Sequence, residues 1–322
     1  METVKKELKL INMADVEARG VKWLWYPYIP YGKLTIVQGD PGEGKTTCIL
    51  HLAALLSKGE KLPCDDEERV PINIIYQTAE DGLEDTIKPR LTEANADCSR
   101  ILVIDESEKE LSMSDERLEQ AVLKTGAKLV ILDPIQAYLG SEVDMHRANE
   151  IRPVLKRLGA MAEKYSCSII LIGHMNKASG SKSTYRGLGS IDFQATARSV
   201  LVVGRIKDNP TIRIMAHDKS SLAPEGKSMA FELNKENGFN WLGHYDISVD
   251  ELLAGINHES KLKKAEILLE DILADGEKAQ GEILQQANAL DISKRVLDQA
   301  KKNLGVKSEK KKDKWYWKSG KE

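Results

Sequence analysis

Short apolar segments and longer amphipathic segments alternate along the first half of the chain. Between the apolar segments, hydrophobic residues recur at helical spacing over 46–56, 83–94, 115–124 and 149–164. The apolar segments are continuous, which is typical of strands buried on both faces of a parallel sheet; they are LTIVQ (34–38), INIIYQ (72–77), ILVI (101–104), KLVILD (128–133) and CSIILIG (167–173). This alternation predicts an α/β fold, a mainly parallel sheet with helices on both faces.

The pattern changes after residue 197. RSVLVVGRI (198–206), TIRIMAH (211–217) and SMAFEL (228–233) are short strand-like segments joined by turn sequences such as DNP and APEG. They predict β-hairpins that extend one edge of the sheet.

A second, smaller unit is predicted at the C-terminal end. Residues 246–260 show little periodicity and are expected to link a domain at 1–245 to a domain at 261–322. Three helices, near 262–273, 283–287 and 296–304, precede KSEKKKDKWYWK, which can fold back as a two-stranded hairpin. This is the plan of a winged helix-turn-helix domain, in whose core we expect Trp315 and Trp317 to pack.

The segment GDPGEGKT (39–46) lies directly between a predicted strand and a predicted helix and matches the pattern Gly-x4-Gly-Lys-Ser/Thr. Glycines at this spacing let backbone N–H groups surround phosphates, and the helix N-terminus adds its positive dipole end. We expect Lys45 to bridge the β- and γ-phosphates and Thr46 to give a hydroxyl ligand to Mg²⁺. The predicted ATP and Mg²⁺ site comprises Gly39, Asp40, Pro41, Gly42, Glu43, Gly44, Lys45, Thr46 and Thr47.

Two carboxylates can complete this site. Asp133 follows the apolar run 129–132, at the point where a P-loop protein needs its second Mg²⁺ anchor. The next residue is Pro134, so the carboxylate that orients the attacking water has to come from another strand. Glu80 is our candidate, because the carboxyl ends of parallel strands meet at one edge of the sheet. Asp81 is the alternative.

Residues from about 20 to 235 resemble a RecA-like hexameric ATPase. The resemblance is to plasmid RepA-type and DnaB-type replicative helicases and to AAA-family ATPases of phages and mobile elements. It is carried, in order, by VKWLWYPYIPYGKLTIVQGDPGEGKTT (21–47), LDPIQAYLG (132–140), IGHMNK (172–177), STYRGLGSIDFQATARS (183–199) and HDKSSLAP (217–224).

The resemblance implies a homo-hexameric, ATP-hydrolysing motor that moves along single-stranded DNA during replication. A nucleotide-gated DNA-binding regulator and a repair or recombination ATPase without unwinding activity would use the same ATP site, and both stay open. The ATPase part begins near residue 20, so we expect a primase or another replisome component on a separate chain.

The same resemblance implies further site residues. In such enzymes the fifth core strand ends in a polar residue that senses the γ-phosphate, and His174 occupies that position. A basic residue of the neighbouring subunit neutralises charge in the transition state. Arg198 and Lys219 match that role, with Arg205 and Arg213 as alternatives.

The segment HMNKASGSKSTYRGLGSID (174–192) is polar and rich in glycine. Before Asp192 its charged side chains are Lys177, Lys182 and Arg186. In a RecA-like ring this loop faces the central channel, which implies that the three cations contact the phosphates of single-stranded DNA.

The net charge of −3 is unevenly distributed. Residues 301–322 carry +6 and the first 300 residues carry −9, a pattern that points to an anionic partner for the C-terminal unit. We expect Lys294, Arg295, Lys301 and Lys302 to lie on the exposed face of its third helix and to contact DNA. A protein-docking role is the alternative.

Composition excludes several classes of protein. No apolar run approaches the roughly 20 residues of a membrane-spanning helix. METVKKELKL lacks the hydrophobic core of a signal peptide, so we expect a cytoplasmic protein. The four cysteines show no C-x2-C spacing, which argues against a zinc site and a disulfide framework.

Overall fold

The large domain is built on one nine-stranded sheet. The computed structural model describes residues 10–140, 143–145, 147–175, 191–207, 209–255, 258–274, 276–290, 292–311 and 314–319. After a ribbon of β1 (Trp23–Trp25) and β2 (Ile29–Pro30), the sheet strands are β3 (Leu34–Gly39), β4 (Ile74–Thr78), β5 (Ile101–Leu102), β6 (Leu129–Asp133), β7 (Ser168–His174), β8 (Ser199–Ile206), β9 (Asn209–Ser220), β10 (Ser228–Asn234) and β11 (Gly238–Tyr245).

The helices of this domain follow the strands along the chain. They are α1 (Lys45–Lys58), α2 (Lys88–Glu93), α3 (Glu116–Thr125), α4 (Ala148–Tyr165), α5 (Ile191–Thr196) and α6 (Val249–Ala254). A π-helical turn (Leu83–Ile87) leads into α2, and short 3-10 turns occupy Met13–Asp15, Cys98–Arg100 and Ile135–Tyr138. No helix among the described residues has both the length and the apolarity needed to cross a membrane.

The sheet order is β11-β10-β9-β8-β3-β7-β6-β4-β5. Strands β3 to β8 are parallel to their neighbours, and β9, β10 and β11 continue the sheet as antiparallel strands. The prediction of a mainly parallel α/β sheet with a hairpin extension at one edge is therefore confirmed. Strand β5 is shorter than predicted, because an edge strand gains hydrogen bonds from one neighbour only.

Burial on both faces explains why the core strands have continuous apolar sequences. In β6, Val130 and Leu132 pack with α3 and α4 on one face, whereas Leu129 and Ile131 pack with α1 on the other. Each such side chain contributes roughly 1.5–3 kcal/mol on burial. The helices thus fix the central strands firmly, and with them the residues at the strand ends.

An aromatic cluster covers the outer side of α1. It comprises Trp25, Phe231, Phe239 and Trp241, with His51 of α1 stacked on Phe239 at 4.0 Å between ring centroids. Burial lowers the pKa of His51 to about 4. The antiparallel extension of the sheet is thereby packed against the helix that follows the P-loop.

The segment expected to be a linker contains α6. Ser248 accepts a hydrogen bond from the backbone N–H of Glu251, and the Glu251 carboxylate accepts one from the backbone of Ser248, which is a capping box. Val249 and Leu252 are buried in a cluster with β8, β9 and β10. Residues 247–252 therefore pack with the large domain.

The C-terminal unit has its own core. Its elements are α7 (His258–Ala274), β12 (Lys278–Ala279), α8 (Gln280–Ala289), α9 (Lys294–Asn303), β13 (Lys307–Lys311) and β14 (Lys314–Lys318), with the strands in the order β12-β14-β13. Trp317 is buried among the three helices. The expectation that Trp315 also packs there is wrong, because it lies near the hairpin turn, where its side chain is 48% exposed.

Candidate active site

Four parallel strands end at one edge of the sheet, and their last residues form the candidate site. The register sets Gly39 of β3 beside His174 of β7, and Thr78 of β4 beside Asp133 of β6. The loop after β3 is the predicted P-loop, and α1 begins at Lys45.

Two glycines of this loop are required by their surroundings. A Cβ atom at Gly39 would lie 2.1 Å from the backbone oxygen of Val203. Gly44 has a φ of 86°, in the left-handed region that favours glycine, and a Cβ there would lie 3.1 Å from Leu233. The loop is therefore closely packed against β8 and β10.

Lys45 lies in the turn of this loop. Its Nζ donates hydrogen bonds to the backbone oxygens of Gly39 (3.0 Å) and Asp40 (2.9 Å), and it lies 3.4 Å from Nδ1 of His174. Burial lowers the pKa of Lys45, and nearby carboxylates, Asp133 foremost, oppose that shift. A buried ammonium group at a helix N-terminus is suited to a polyanionic ligand.

The Mg²⁺ anchors predicted from sequence are in contact. Oγ1 of Thr46 donates a 2.7 Å hydrogen bond to Oδ2 of Asp133, and the hydroxyl of Tyr76 donates a second one at 3.2 Å. Burial raises the pKa of Asp133, whereas these two hydrogen bonds and Lys45 lower it. A hydroxyl and a carboxylate are the oxygen ligands that Mg²⁺ takes alongside phosphates and water, so the residues fit the ion.

The two candidate carboxylates for water activation are in different environments. Asp81 accepts a 2.9 Å hydrogen bond from Nη1 of Arg90, as an ion pair. Glu80 is exposed and forms no ion pair with any described residue, yet it is close enough to act on the pKa values of Lys45 and Asp133. The geometry therefore favours Glu80, which is the less constrained of the two.

Arg198 and Lys219 lie at the opposite edge of the sheet from the P-loop of their own chain. The backbone N–H of Arg198 donates to the oxygen of Leu34, at the start of β3, and Lys219 pairs with Val200. Five strand residues separate this level from Gly39, which is about 16 Å. Neither cation can reach its own nucleotide site.

The two cations also differ in their contacts. Arg198 is exposed, whereas Nζ of Lys219 donates to backbone oxygens at the end of α5, including that of Ala197 at 2.9 Å. Burial lowers the pKa of Lys219, and the adjacent Arg198 adds to the shift. Arg198 is thus the freer of the two to meet another molecule.

The two alternative cations lie beside the P-loop of their own chain. Nε of Arg205 donates a 2.8 Å hydrogen bond to Oε1 of Glu43, and its Nη2 donates to the oxygen of Gly42 at 3.3 Å. Arg213 is directly opposite Arg205 on β9 and is buried.

The residues predicted to bind DNA are only partly described. Lys177, Lys182 and Arg186 lie outside the described residues. On α9, Lys294 and Lys302 are exposed, and Arg295 forms an ion pair with Asp246. Lys301 departs from the prediction of an exposed face, because its Nζ lies 4.2 Å from the ring centre of the buried Trp317.

Sequence reasoning missed two residues of this site. Tyr76 was taken as part of a buried strand, although a polar aromatic ring two residues before the strand end is a visible signal. The contact of Arg205 with Glu43 joins residues 162 positions apart, and no local pattern could show it.

Comparisons with known proteins agree with this geometry. A family model described as an AAA domain matches residues 4–180. The DNA repair protein RadA of Halalkalibacterium halodurans is 28% identical over 148 residues, which are 45% of this chain and 28% of that protein. RadA of Bacillus subtilis is 23% identical over 226 residues, 70% of this chain and 44% of that protein. The chain thus matches less than half the length of either relative.

A solved structure supports the fold. The ATPase domain of a DnaB-like helicase matches with a TM-score of 0.50 and 15% identity, covering 66% of this chain and 85% of that one. At this identity the likeness shows the fold alone. Together with the family match, it shows that the large domain is a RecA-like P-loop ATPase domain.

Proposed function

Because the chain belongs to the AAA domain family, we propose that it is an ATP-hydrolysing, DNA-dependent motor. In this proposal it forms a homo-hexameric ring and moves along single-stranded DNA during replication of a phage, plasmid or mobile element. One observation carries the proposal. His174, whose Nδ1 lies 3.4 Å from Nζ of Lys45, is the last residue of β7 and leads directly into the cationic segment 174–192. A single residue therefore joins the phosphate-binding lysine to the proposed DNA loop.

Each residue of the site has a role in the proposed hydrolysis. Lys45 binds the phosphates, and Thr46 and Asp133 hold Mg²⁺, which reduces the negative charge on the phosphate oxygens when bound. Tyr76 orients the Asp133 carboxylate through its hydrogen bond. Glu80 orients the attacking water and accepts its proton.

The charge that develops in the transition state needs a further cation. Arg198 and Lys219 are too far from the P-loop of their own chain to provide it, which supports a cation supplied across a subunit interface. A ring of subunits related head to tail gives every site such a neighbour. This requirement is the argument for a closed oligomer.

The DNA contacts of the proposal come from two regions. Lys177, Lys182 and Arg186 follow the backbone of single-stranded DNA in the channel, and exposed cations of α9 add a second contact. Both contacts are with phosphates, so binding weakens as salt rises and depends little on sequence. A primase or another replisome component is the expected partner for priming.

The relatives favour a second candidate function. Both matching bacterial proteins carry the name DNA repair protein, so a repair ATPase that binds DNA without unwinding it is the alternative. The two candidates share the ATP site and differ in whether duplex strands are separated.

The test measures ATP turnover and strand separation in the same preparation. We expect single-stranded DNA to raise turnover at low salt, the Lys45→Ala variant to be inactive, and a forked duplex to be unwound with ATP. Turnover without unwinding would favour the repair candidate, and turnover that ignores DNA would overturn both. Native mass measurement gives the subunit number in parallel.

The loop has its own variant. Replacing Lys177, Lys182 and Arg186 with alanine should abolish stimulation by DNA and leave hydrolysis without DNA unchanged, because phosphates are then no longer bound. Stimulation that survives the triple substitution would remove this segment from the DNA path.

A further inference from the structure

Glu43 and two arginines form a buried charge cluster beside the P-loop. The Glu43 side chain is 11% exposed and accepts a 2.8 Å hydrogen bond from Nε of Arg205. Arg213 stands opposite Arg205, and both lie on the sheet face that packs against α1, in line with Val203 and Met215. We call these three residues the Glu43 cluster.

The Glu43 cluster contains two groups that lack partners. Oε2 of Glu43, and Nε and Nη1 of Arg213, are buried without a hydrogen bond to any described residue. A buried polar group left in this way costs about 1–3 kcal/mol, and more where it is charged. Burial and Arg205 lower the pKa of Arg213, whereas Glu43 raises it, so the two unpartnered groups already interact.

The loop that carries Glu43 has to change when phosphates bind. Lys45 donates to the oxygens of Gly39 and Asp40 inside the turn. Phosphate oxygens compete for the same ammonium protons, so the turn around Gly42 and Glu43 opens as these carbonyl contacts are exchanged. The carboxylate moves with the loop while the arginines stay on their strands.

We propose that Glu43 exchanges Arg205 for Arg213 when a nucleoside triphosphate binds. This inference rests on the nucleotide binding in the proposed function and adds a sensor to that site. The exchange satisfies the unpartnered oxygen of Glu43 and the unpartnered nitrogens of Arg213 together. Arg205 is released in the same step, and its guanidinium is already 42% exposed to solvent.

The strands involved give the exchange a consequence. Arg205 is on β8 and Arg213 is on β9, and at their other ends these strands carry Ser199, next to Arg198, and Lys219. A change at the P-loop end of this strand pair is therefore applied to the same two strands that present the proposed trans-acting cations. The Glu43 cluster positions these strands and takes no part in the chemical step.

The proposal predicts opposite signs for two variants. Arg205→Gln removes a contact of the conformation described above, so nucleotide should bind about fivefold more tightly. Arg213→Gln removes a contact of the bound conformation, so binding should weaken by about the same factor. In a Glu43→Gln parent neither arginine substitution should change affinity further, because both act through the same carboxylate.

The measurement is a titration of a fluorescent ATP analogue with Mg²⁺ into each full-length variant. Arg213→Lys is the second variant at the buried position, and it should give a smaller loss than Arg213→Gln because it keeps the charge. Lys164→Gln breaks a distant surface ion pair with Glu119 and serves as the matched control, with unchanged affinity.

The outcomes separate the two levels of the argument. If the unaltered chain shows no binding that depends on Lys45, the proposed function fails and the exchange fails with it. If the unaltered chain binds nucleotide but both glutamine variants weaken binding, or neither changes it, the exchange alone is wrong. A purely structural ion pair would give weakened binding in both variants.

Discussion

Thr46 and Asp133 are 87 residues apart in sequence, and a 2.7 Å hydrogen bond from Oγ1 of Thr46 to Oδ2 of Asp133 joins them. One residue begins α1 and the other ends β6, so the packing of α1 on the sheet sets their separation. The hydroxyl and the carboxylate are held together before any ion binds, which reduces the reorganisation that Mg²⁺ binding requires.

Asp133→Asn tests this pair. The amide keeps the shape of the side chain and removes its charge, so we expect turnover of ATP to fall at least about a hundredfold. Nucleotide affinity measured without Mg²⁺ should change little. Asp97→Asn, at an exposed carboxylate far from this edge, is the control and should keep full turnover. Normal Mg²⁺-dependent turnover in Asp133→Asn would remove Asp133 from the metal site.

Glu80 and Asp81 can be separated by a matched pair of amide variants. Glu80→Gln removes the proposed base, so we expect turnover to fall by roughly 10²- to 10⁴-fold with nucleotide affinity retained. Asp81→Asn removes only the partner of Arg90 and should lower turnover far less. Phosphate release under saturating ATP distinguishes them, and a larger loss in Asp81→Asn would reverse the assignment.

The trans-acting cation can be identified by mixing variants. Lys45→Ala subunits lack a working P-loop and Arg198→Ala subunits lack the cation, so each should be inactive alone. In a mixed ring, a site is active when an Arg198→Ala subunit receives the cation from a Lys45→Ala neighbour, which holds for roughly a quarter of interfaces. Recovered turnover of that order supports Arg198, and the same experiment with Lys219→Ala tests the other candidate. Without recovery in either mixture, neither cation acts across the interface.

His217 makes stability depend on pH. Its Nδ1 accepts a 3.0 Å hydrogen bond from the backbone N–H of Gly226, and its Nε2 lies 3.0 Å from Oγ of Ser199. Burial lowers the pKa of His217 to about 4. Between the ordinary value of about 6.5 and this value, only the unfolded chain takes up the proton, so the free energy of unfolding falls with pH by up to about 3 kcal/mol.

Urea denaturation at several pH values measures this dependence. His217→Gln keeps a neutral, hydrogen-bonding side chain and should flatten the decline between about pH 6.5 and pH 4. His51→Phe should flatten it as well, because burial lowers the pKa of His51 to about 4 too. An unchanged slope in both variants would show that neither histidine is responsible.

Much of the fold and the core of the site could be predicted from sequence because the signals are local. Continuous apolar runs mark strands that helices cover on both faces, and Lys45 and Asp133 adjoin such runs. By contrast, α6 has only Val249 and Leu252 as buried apolar side chains, too few to show a period, and its capping box was the one local signal. The contact of Glu43 with Arg205 depends on β8 lying beside β3, a property of topology that no stretch of sequence carries.

The aromatic cluster gives the P-loop an optical reporter. The ring of Phe231 would lie 3.5 Å from a Cβ atom at Gly44, and Trp241 meets Phe231 edge to face at 5.7 Å. The indole N–H of Trp241 is buried with no hydrogen-bond partner among the described residues, so its emission depends on the packing of neighbouring rings. Opening of the loop at Gly44 should therefore change the intrinsic fluorescence of this protein, and Trp241→Phe should remove that change without a dye ever being attached.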